Sequence, residues 1–330
     1  MSIVLDRARV LAALAIFYYH IGLNLRLPLS GWGEYSVTTF LLLAIMAAVA
    51  FSLPKYANEL RPGPYLWARL GRLMPLYLFV NVAVYGISFV VPSRLGRPFT
   101  VGELLLSSLG LSQYFGYRYL SLVFWFIPFI IQVYVLIAFG NAYIERLRNW
   151  WWLPVAFGLF WLEILVVGAV SQQPLSVLRN WSPLFRPAEM LLGVQSGLWM
   201  TGRLPGRAFA GQLGLYAGLS GLLACGAIYD QRLAYAYTLP LSGAIVTAAV
   251  VGVAWLLGRG PQVISAPLWR RLGRATYPFY LIHGLAILFL FHRFGSSAAI
   301  WLGYAACCAL AALALDAMFS VRRRPAAVQS

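Results

Sequence analysis

The chain has 330 residues, 61% of them hydrophobic and only 10% charged, with mean hydropathy +0.76 and a formal net charge of +16. That composition excludes an ordinary soluble domain, in which about a quarter of the residues are charged. The 25 Lys and Arg would suit a nucleic acid, but they stand singly or in short clusters between apolar runs. Arginines so placed set membrane topology and touch anionic head groups, so the partner they imply is the lipid bilayer and not nucleic acid.

In chain order, apolar runs long enough to cross a bilayer cover 8–27, 34–53, 74–92, 121–142, 152–170, 208–229, 236–257, 276–294 and 298–319. A tenth run, 186–201, is short and holds Glu189, but it is needed for the charge balance. With ten spans both termini lie on one side, and with that side cytoplasmic the inner segments hold seventeen of the basic residues and the outer segments eight. That excess agrees with the positive-inside rule. Leaving out 186–201 would place the Arg270–Arg274 and Arg322–Arg324 clusters outside. The expected fold is therefore all-α: a polytopic integral membrane protein of about ten transmembrane helices with cytoplasmic termini. It forms a single domain over 1–330, with a short polar tail from 322. The first run lacks a small-residue cleavage site and is read as a retained helix. The outer loop 93–120 contains its own apolar piece, LLLSSLGLSQYFG, which is too short to span and reads as re-entrant or interfacial. Tyr117, Tyr119, Trp150, Trp151 and Trp152 read as an aromatic belt. Cys225, Cys307 and Cys308 lie inside apolar runs without metal-ligand spacing, so neither a disulfide framework nor a metal is expected.

Four polar constellations interrupt this apolar pattern. In LDRARVLAALAIFYYH, Arg9 and His20 are eleven residues apart, about 1100° of helix, and so share one face. The same step rises roughly 16 Å, which puts Arg9 at a membrane surface and His20 about halfway through a core of about 30 Å. Asp6 alone reads as an N-cap, Arg9 as a surface anchor and His20 as a hydrogen-bonded interior histidine; a buried imidazole in line with a surface guanidinium favours function, with the neutral ring taking a proton from an attacking hydroxyl. Arg69 and Arg72, at i and i+3 in WARLGRLMP, are able to hold phosphates, but on the residues alone membrane-surface anchoring explains them better. Arg186 and Glu189 are again i, i+3, as an interior pair of either structural or functional kind. In LGRATYPFYLIHG, Thr276, Tyr280 and His283 form one polar stripe, which interhelical hydrogen bonding would also explain, most readily for Thr276.

Taken together these residues resemble the membrane acyltransferase-3 family. Asp6, Arg9 and His20 match its opening Asp-x-x-Arg-x10-His motif, and Arg69 and Arg72 ahead of Pro75, Leu76 and Tyr77 match its Arg-x-x-Arg. Arg186, Glu189 and Gly193 match an Arg-x-x-Glu followed by Leu-Leu-Gly, and LGRATYPFYLIH matches the late motif with Thr276 in the serine place. The matches come in the family's order along nearly the whole chain. The second helix lacks the usual Ser-Gly pair, and Ile130 and Ile131 stand where the fourth helix often has two acids.

The resemblance implies a multi-pass enzyme of a bacterial inner membrane that moves an acyl group, most often acetyl from acetyl-CoA, to a hydroxyl of a saccharide or surface glycan. Such acceptors include O-antigen of lipopolysaccharide and exopolysaccharide, and glycan-assembly proteins are the implied neighbours. On that reading His20 and Glu189 carry catalysis, Arg9, Arg69, Arg72, Tyr280 and His283 bind acyl-CoA, and Arg186 meets the acceptor. A transporter or flippase of lipid-linked glycan is the competing class, supported by the polytopic build alone. It would need no acyl-CoA.

Overall fold

The computed structural model describes residues 2–25, 33, 35–56, 62–90, 97–115, 120–121, 123–170, 183–229, 234–259, 264–289 and 298–321. Among these, all regular structure is helical. The α-helices are α1 (Ser2–Leu25), α2 (Ser36–Ala47), α3 (Leu53–Tyr56), α4 (Pro62–Val90), α5 (Val101–Ser108), α6 (Phe126–Gly140), α7 (Trp152–Val170), α8 (Pro187–Met200), α9 (Gly206–Tyr229), α10 (Ala234–Leu256), α11 (Ala266–Phe289) and α12 (Ala298–Val321). A π-helical turn, Ala48–Ser52, joins α2 to α3, and a 3-10 stretch, Asn141–Arg148, extends α6.

The distribution of polarity is that of a membrane protein. Leu222 and Leu302 are each 71% exposed, while Asn81, Ser107, Glu189 and Gln195 are wholly buried. Large apolar side chains on the outside need lipid, and the polar groups inside need one another. Among the described residues five helical segments are long and apolar enough to cross a bilayer: Pro62–Val90, Phe126–Arg148, Gly206–Cys225, Thr238–Leu256 and Ala299–Phe319. Helices α1 and α11, at 24 residues each, are longer than four of these five, but begin in charge: Asp6, Arg7 and Arg9 on α1, and Arg270, Arg271 and Arg274 on α11. Run 186–201 becomes the 14-residue α8, about 21 Å long and shorter than a hydrocarbon core.

The chain divides into two compact units, Met1–Glu34 with Leu70–Pro128 and Val253–Ser330, and Tyr35–Arg69 with Phe129–Gly252. In the first unit α11 packs against both α1 and α12. Small residues permit this: Ala8 and Ala12 of α1 are wholly buried, and a Cβ on Gly273 of α11 would collide with Asp6. The loop 93–120 contributes α5, which a capping box starts: Thr100 accepts from the Glu103 amide, and the Glu103 carboxylate accepts from the Thr100 amide at 2.7 Å. Arg97 forks onto the same carboxylate at 3.0 and 2.8 Å. Donated to the charged form, these bonds hold the Glu103 carboxyl down at about 2. The helix ends at Gly110, whose φ of +72° permits the Leu111 amide to reach back to Leu106 O at 2.8 Å. A buried relay ties α5 to α4. Tyr77 donates to Ser107 O, Ser107 Oγ to Asn81 Oδ1, and Asn81 Nδ2 to Tyr77 O. The apolar piece of this loop is thus anchored by polar contacts inside the unit, and the eight residues of α5 are too few to cross.

In the second unit α8 is the central helix, packed on α2, α7 and α9. Gly193 and Gly197, four residues apart, present backbone to Ile45 and Val49, so that any Cβ there would overlap those side chains. This is the small-xxx-small solution to close helix packing in lipid. Thr39 and Thr247 share a hydrogen bond at 3.1 Å, and Thr247 donates onward to Gly243 O at 2.7 Å. The π turn leaves carbonyls out of register; Arg203 caps one of them, Val49 O, at 2.9 Å while pairing with Glu145 at 2.7 Å.

Candidate active site

Helix α1 positions Asp6, Arg9 and His20 through its regular turn. Asp6 lies inside the helix and not at its N-cap; its carboxylate accepts from Arg9 Nη1 at 3.0 Å. With Gly273 pressed against Asp6, this pair is held where α1 meets α11.

Toward the other end of the same two helices, His20 meets His283. Their ring centroids are 5.3 Å apart, tilted by 40°. His283 is 1% exposed. Its Nδ1 lies 3.3 Å from Phe279 O, so Nδ1–H donates to that carbonyl and Nε2 carries the lone pair. Nε2 is buried without a hydrogen-bond partner among the described residues. A cage of rings surrounds the pair. Phe279 stacks on His283 at 5.9 Å and 10°, Phe17 meets Phe279 at 5.5 Å, and Tyr304 stacks on Phe17 at 6.0 Å. Tyr304 also donates to the carbonyls of Ile282 and His283 at 3.1 and 3.0 Å, which fixes the backbone beneath the imidazole. Tyr280 packs on His283 at 5.5 Å and donates to Val123 O at 2.5 Å, so its proton is already committed. Thr276 donates to Gly273 O of its own helix at 2.8 Å, which replaces the interhelical bond expected of it.

The other constellations have their own settings. Arg72 lies in the first unit, lining a small cavity with Arg274, Tyr277 and Asp316, where Arg274 Nε reaches Asp316 at 3.3 Å. Arg69 lies in the second unit. Its guanidinium is stacked between Tyr65 and Tyr134 at 5.3 and 5.2 Å and donates to Ser52 of the π turn. Arg186 is 1% exposed, donates to Thr38 Oγ1 at 3.3 Å and sits over the Phe129 ring at 5.5 Å. Glu189 is wholly buried in the first turn of α8, where the helix dipole favours a carboxylate. A cation and an anion, both deeply buried and three residues apart, are therefore built into the second unit.

Sequence reasoning missed Ser121. Its hydroxyl is buried, has no partner among the described residues, and lies where a Cβ on Gly284 would meet it, next in sequence to His283. One serine in a loop leaves no sequence signal. Phe17 and Phe279 were likewise invisible among 20 phenylalanines. Among the described residues no group of three His, Cys, Asp or Glu side chains comes together to hold a metal.

The family model of an acyltransferase domain, acyltransferase-3, matches residues 3–318. The chain belongs to the acyltransferase-3 family. No curated protein and no solved structure matches it. Membership makes this an acyltransferase chain of membrane-helical build.

Proposed function

We propose that this acyltransferase takes its acyl group, acetyl in the simplest case, from cytoplasmic acyl-CoA and passes it to a hydroxyl of a saccharide or surface glycan in a bacterial inner membrane. The observation that carries the reading is the pairing of His20 with His283, in which one ring is fixed by its Nδ1 bond to Phe279 O and keeps an open Nε2. Neutral imidazole at such a site is a general base for an alcohol.

In this mechanism His20 removes the proton from the acceptor hydroxyl as its oxygen attacks the thioester carbonyl. A tetrahedral oxyanion forms and collapses, the C–S bond breaks, and the imidazolium returns its proton to the departing CoA thiolate. His283 holds the neighbouring position for the His20 ring and offers Nε2 as an acceptor to the reacting groups. Tyr280, whose O–H is donated to Val123 O, offers the site its oxygen lone pairs and shapes the donor side. Arg9, Arg69 and Arg72 are assigned to the phosphates of CoA, since guanidinium forks match phosphate oxygens. Arg186 is assigned to the acceptor, and Glu189 to orienting acceptor or imidazole.

The test is CoA release from labelled acetyl-CoA by the purified chain in the presence of cell-envelope glycan. His20→Ala should abolish transfer while the protein still inserts in membranes and elutes as a single species. His283→Phe keeps the ring volume but removes the nitrogens, and should lower turnover at least a hundredfold. Wild-type turnover in either variant rejects the assignment of that residue. Glycan export without any CoA dependence would favour the transporter class instead.

A further inference from the structure

The proposed chemistry uses one flank of α1. A second flank carries a feature that it leaves unused. Arg7 is 3% exposed, and its Nε is buried without a hydrogen-bond partner. The guanidinium packs on the Trp269 ring at 5.7 Å and lines a cavity of about 260 Å³ together with Trp255, Gly258 and Arg259. Arg259 lies over the Trp255 ring at 3.8 Å. Among the described residues neither arginine has an acidic partner. Gly258 is small because its backbone abuts the Arg7 guanidinium; a Cβ there would strike Nη1. Two cations thus face one cavity with nothing to neutralise them, and one of them is nearly buried. A buried charge is costly unless it is paired.

Further along α1 and α11 lies an apolar cavity of about 320 Å³. Its walls include Val10 and Leu14 of α1, Trp269 and Phe279 of α11, and Ala309 and Ala312 of α12. On α1 the two cavities share one helical stripe: Ile3 and Arg7 in the first, Val10 and Leu14 in the second. On α11 the stripe continues from Ala266 through Trp269 to Phe279. Trp269 stands at the junction, touching Arg7 and walling the apolar cavity. The hydroxyl of Thr276 in that wall is already donated to Gly273 O. Nothing in the apolar cavity would satisfy the two amides of a pantetheine arm, but an alkyl chain needs no partner there. From Trp269 to Phe279 the helix rises about 15 Å, half of a hydrocarbon core.

We infer that these two cavities, linked at Trp269, together form a binding site for an anionic glycerophospholipid, with the headgroup phosphate held between Arg7 and Arg259 and one acyl chain lying along α1 and α11 as far as Phe279. The charge, the flanking tryptophans and the chain-length apolar extension all match one leaflet of lipid. Each lipid-bound guanidinium has the phosphate it lacks within the protein.

The test uses the full chain in detergent, with bound lipid read by native mass spectrometry during titration with phosphatidylglycerol or phosphatidylcholine, and CoA binding measured in parallel by calorimetry. The wild type should hold phosphatidylglycerol about tenfold more tightly than phosphatidylcholine, which has the same phosphate but adds a choline cation that the two guanidiniums repel. Arg259→Ala, at an exposed position, should erase that preference and leave CoA binding unchanged. Ala309→Phe, which fills the apolar part, should weaken both lipids; Leu14→Trp, on a half-exposed wall, serves if that variant aggregates. Equal affinity of the wild type for the two lipids overturns the inference, as does a preference that survives Arg259→Ala. Loss of CoA binding in Arg259→Ala with unchanged lipid affinity also overturns it, by giving the phosphate to the nucleotide. None of these readouts depends on acyl transfer, so failure here and failure of the proposed reaction are separable.

Discussion

Replacing Gly273 by Ala tests whether the contact of α1 with α11 sets the histidine pair. A Cβ at this position would lie 2.8 Å from Asp6 Cβ, 2.9 Å from its Oδ1 and 3.0 Å from its Cγ. Carbon atoms settle at about 3.5–4.0 Å, so α1 must retreat by roughly 0.5–1 Å or the carboxylate must swing away from Arg9. Overpacking of this kind costs about 1–3 kcal/mol, partly offset by the roughly 0.5–1 kcal/mol that Ala gains over Gly inside a helix. Gly71→Ala is the matched control: Gly71 lies inside α4 and a Cβ there meets nothing within 4 Å, so only the gain should appear. The two variants should therefore differ by about 1–3 kcal/mol in stability. The effect on turnover should be larger. His20 and His283 sit on the same two helices, and a displacement of about 1 Å in reacting groups costs on the order of a hundredfold. The assay is CoA release from acetyl-CoA by each purified variant, with a thermal melt of the same sample. A Gly273→Ala protein that melts no lower than Gly71→Ala and turns over at the wild-type rate would refute the claim that this contact holds the site.

Thr39→Val removes the donor of the buried Thr39–Thr247 bond while keeping its volume; interhelical bonds of this kind in bilayers are worth about 0.6 kcal/mol, so a double-mutant cycle with Thr247→Val should return a coupling of about that size in reversible unfolding. Glu103 supplies a pH dependence whose sign is fixed. Its folded carboxyl is lowered from an ordinary 4.5 to about 2, chiefly by the Arg97 hydrogen bonds, so its contribution to α5 is complete above about 4.5 and is lost as pH falls through about 2. Hydrogen exchange across 101–108 should therefore show protection that persists from pH 7 to 4.5 and falls progressively as pH drops to about 2, while in Arg97→Gln the protection at pH 7 should be smaller and its loss complete nearer 4.5.

Hydropathy located the membrane-facing parts of the helices better than their ends. Run 74–92 is the apolar portion of α4, but the helix begins at Pro62 and carries the basic turn WARLGR, which reads as a loop by hydropathy. Arg69 continues the helix because its stem and charge lie between the Tyr65 and Tyr134 rings, a contact made by residues distant in sequence. Run 34–53 is likewise right in extent, but no local pattern marks the π turn at Ala48–Ser52, whose existence depends on Arg203 and Arg69 meeting its displaced groups. Run 186–201 was needed as a span for charge balance, whereas the helix found there has 14 residues with Leu191 through Leu198 all buried. Its hydrophobicity serves a protein core as well as a bilayer, and periodicity does not separate the two. At the candidate site, motif spacing supplied His20 and His283 separately. Their meeting depends on Gly273 and on the Phe17 and Phe279 cage, which are ordinary residues until the helices are packed.

The angular positions on α1 allow one helix to carry both the proposed reaction and the inferred lipid. Arg7 and Arg9 are two residues apart, about 200° around the axis, so they point to nearly opposite sides. Arg9 faces Asp6 and shares its side with His20, whereas Arg7, Val10 and Leu14 centre on a face roughly 120° away. A donor along the first face and a lipid along the second therefore do not compete for the same side chains. They still meet at one place. Phe279 closes the deep end of the lipid groove and stacks on His283 with its backbone carbonyl bound to the same imidazole. A chain filling the groove would press Phe279 against that ring and restrict its tilt, while an empty groove would leave Phe279 free to withdraw into about 320 Å³ of space. Turnover should accordingly be higher in phosphatidylglycerol nanodiscs than in short-chain detergent for the wild type, and Ala309→Phe, which fills the groove with protein, should lose that dependence without losing activity.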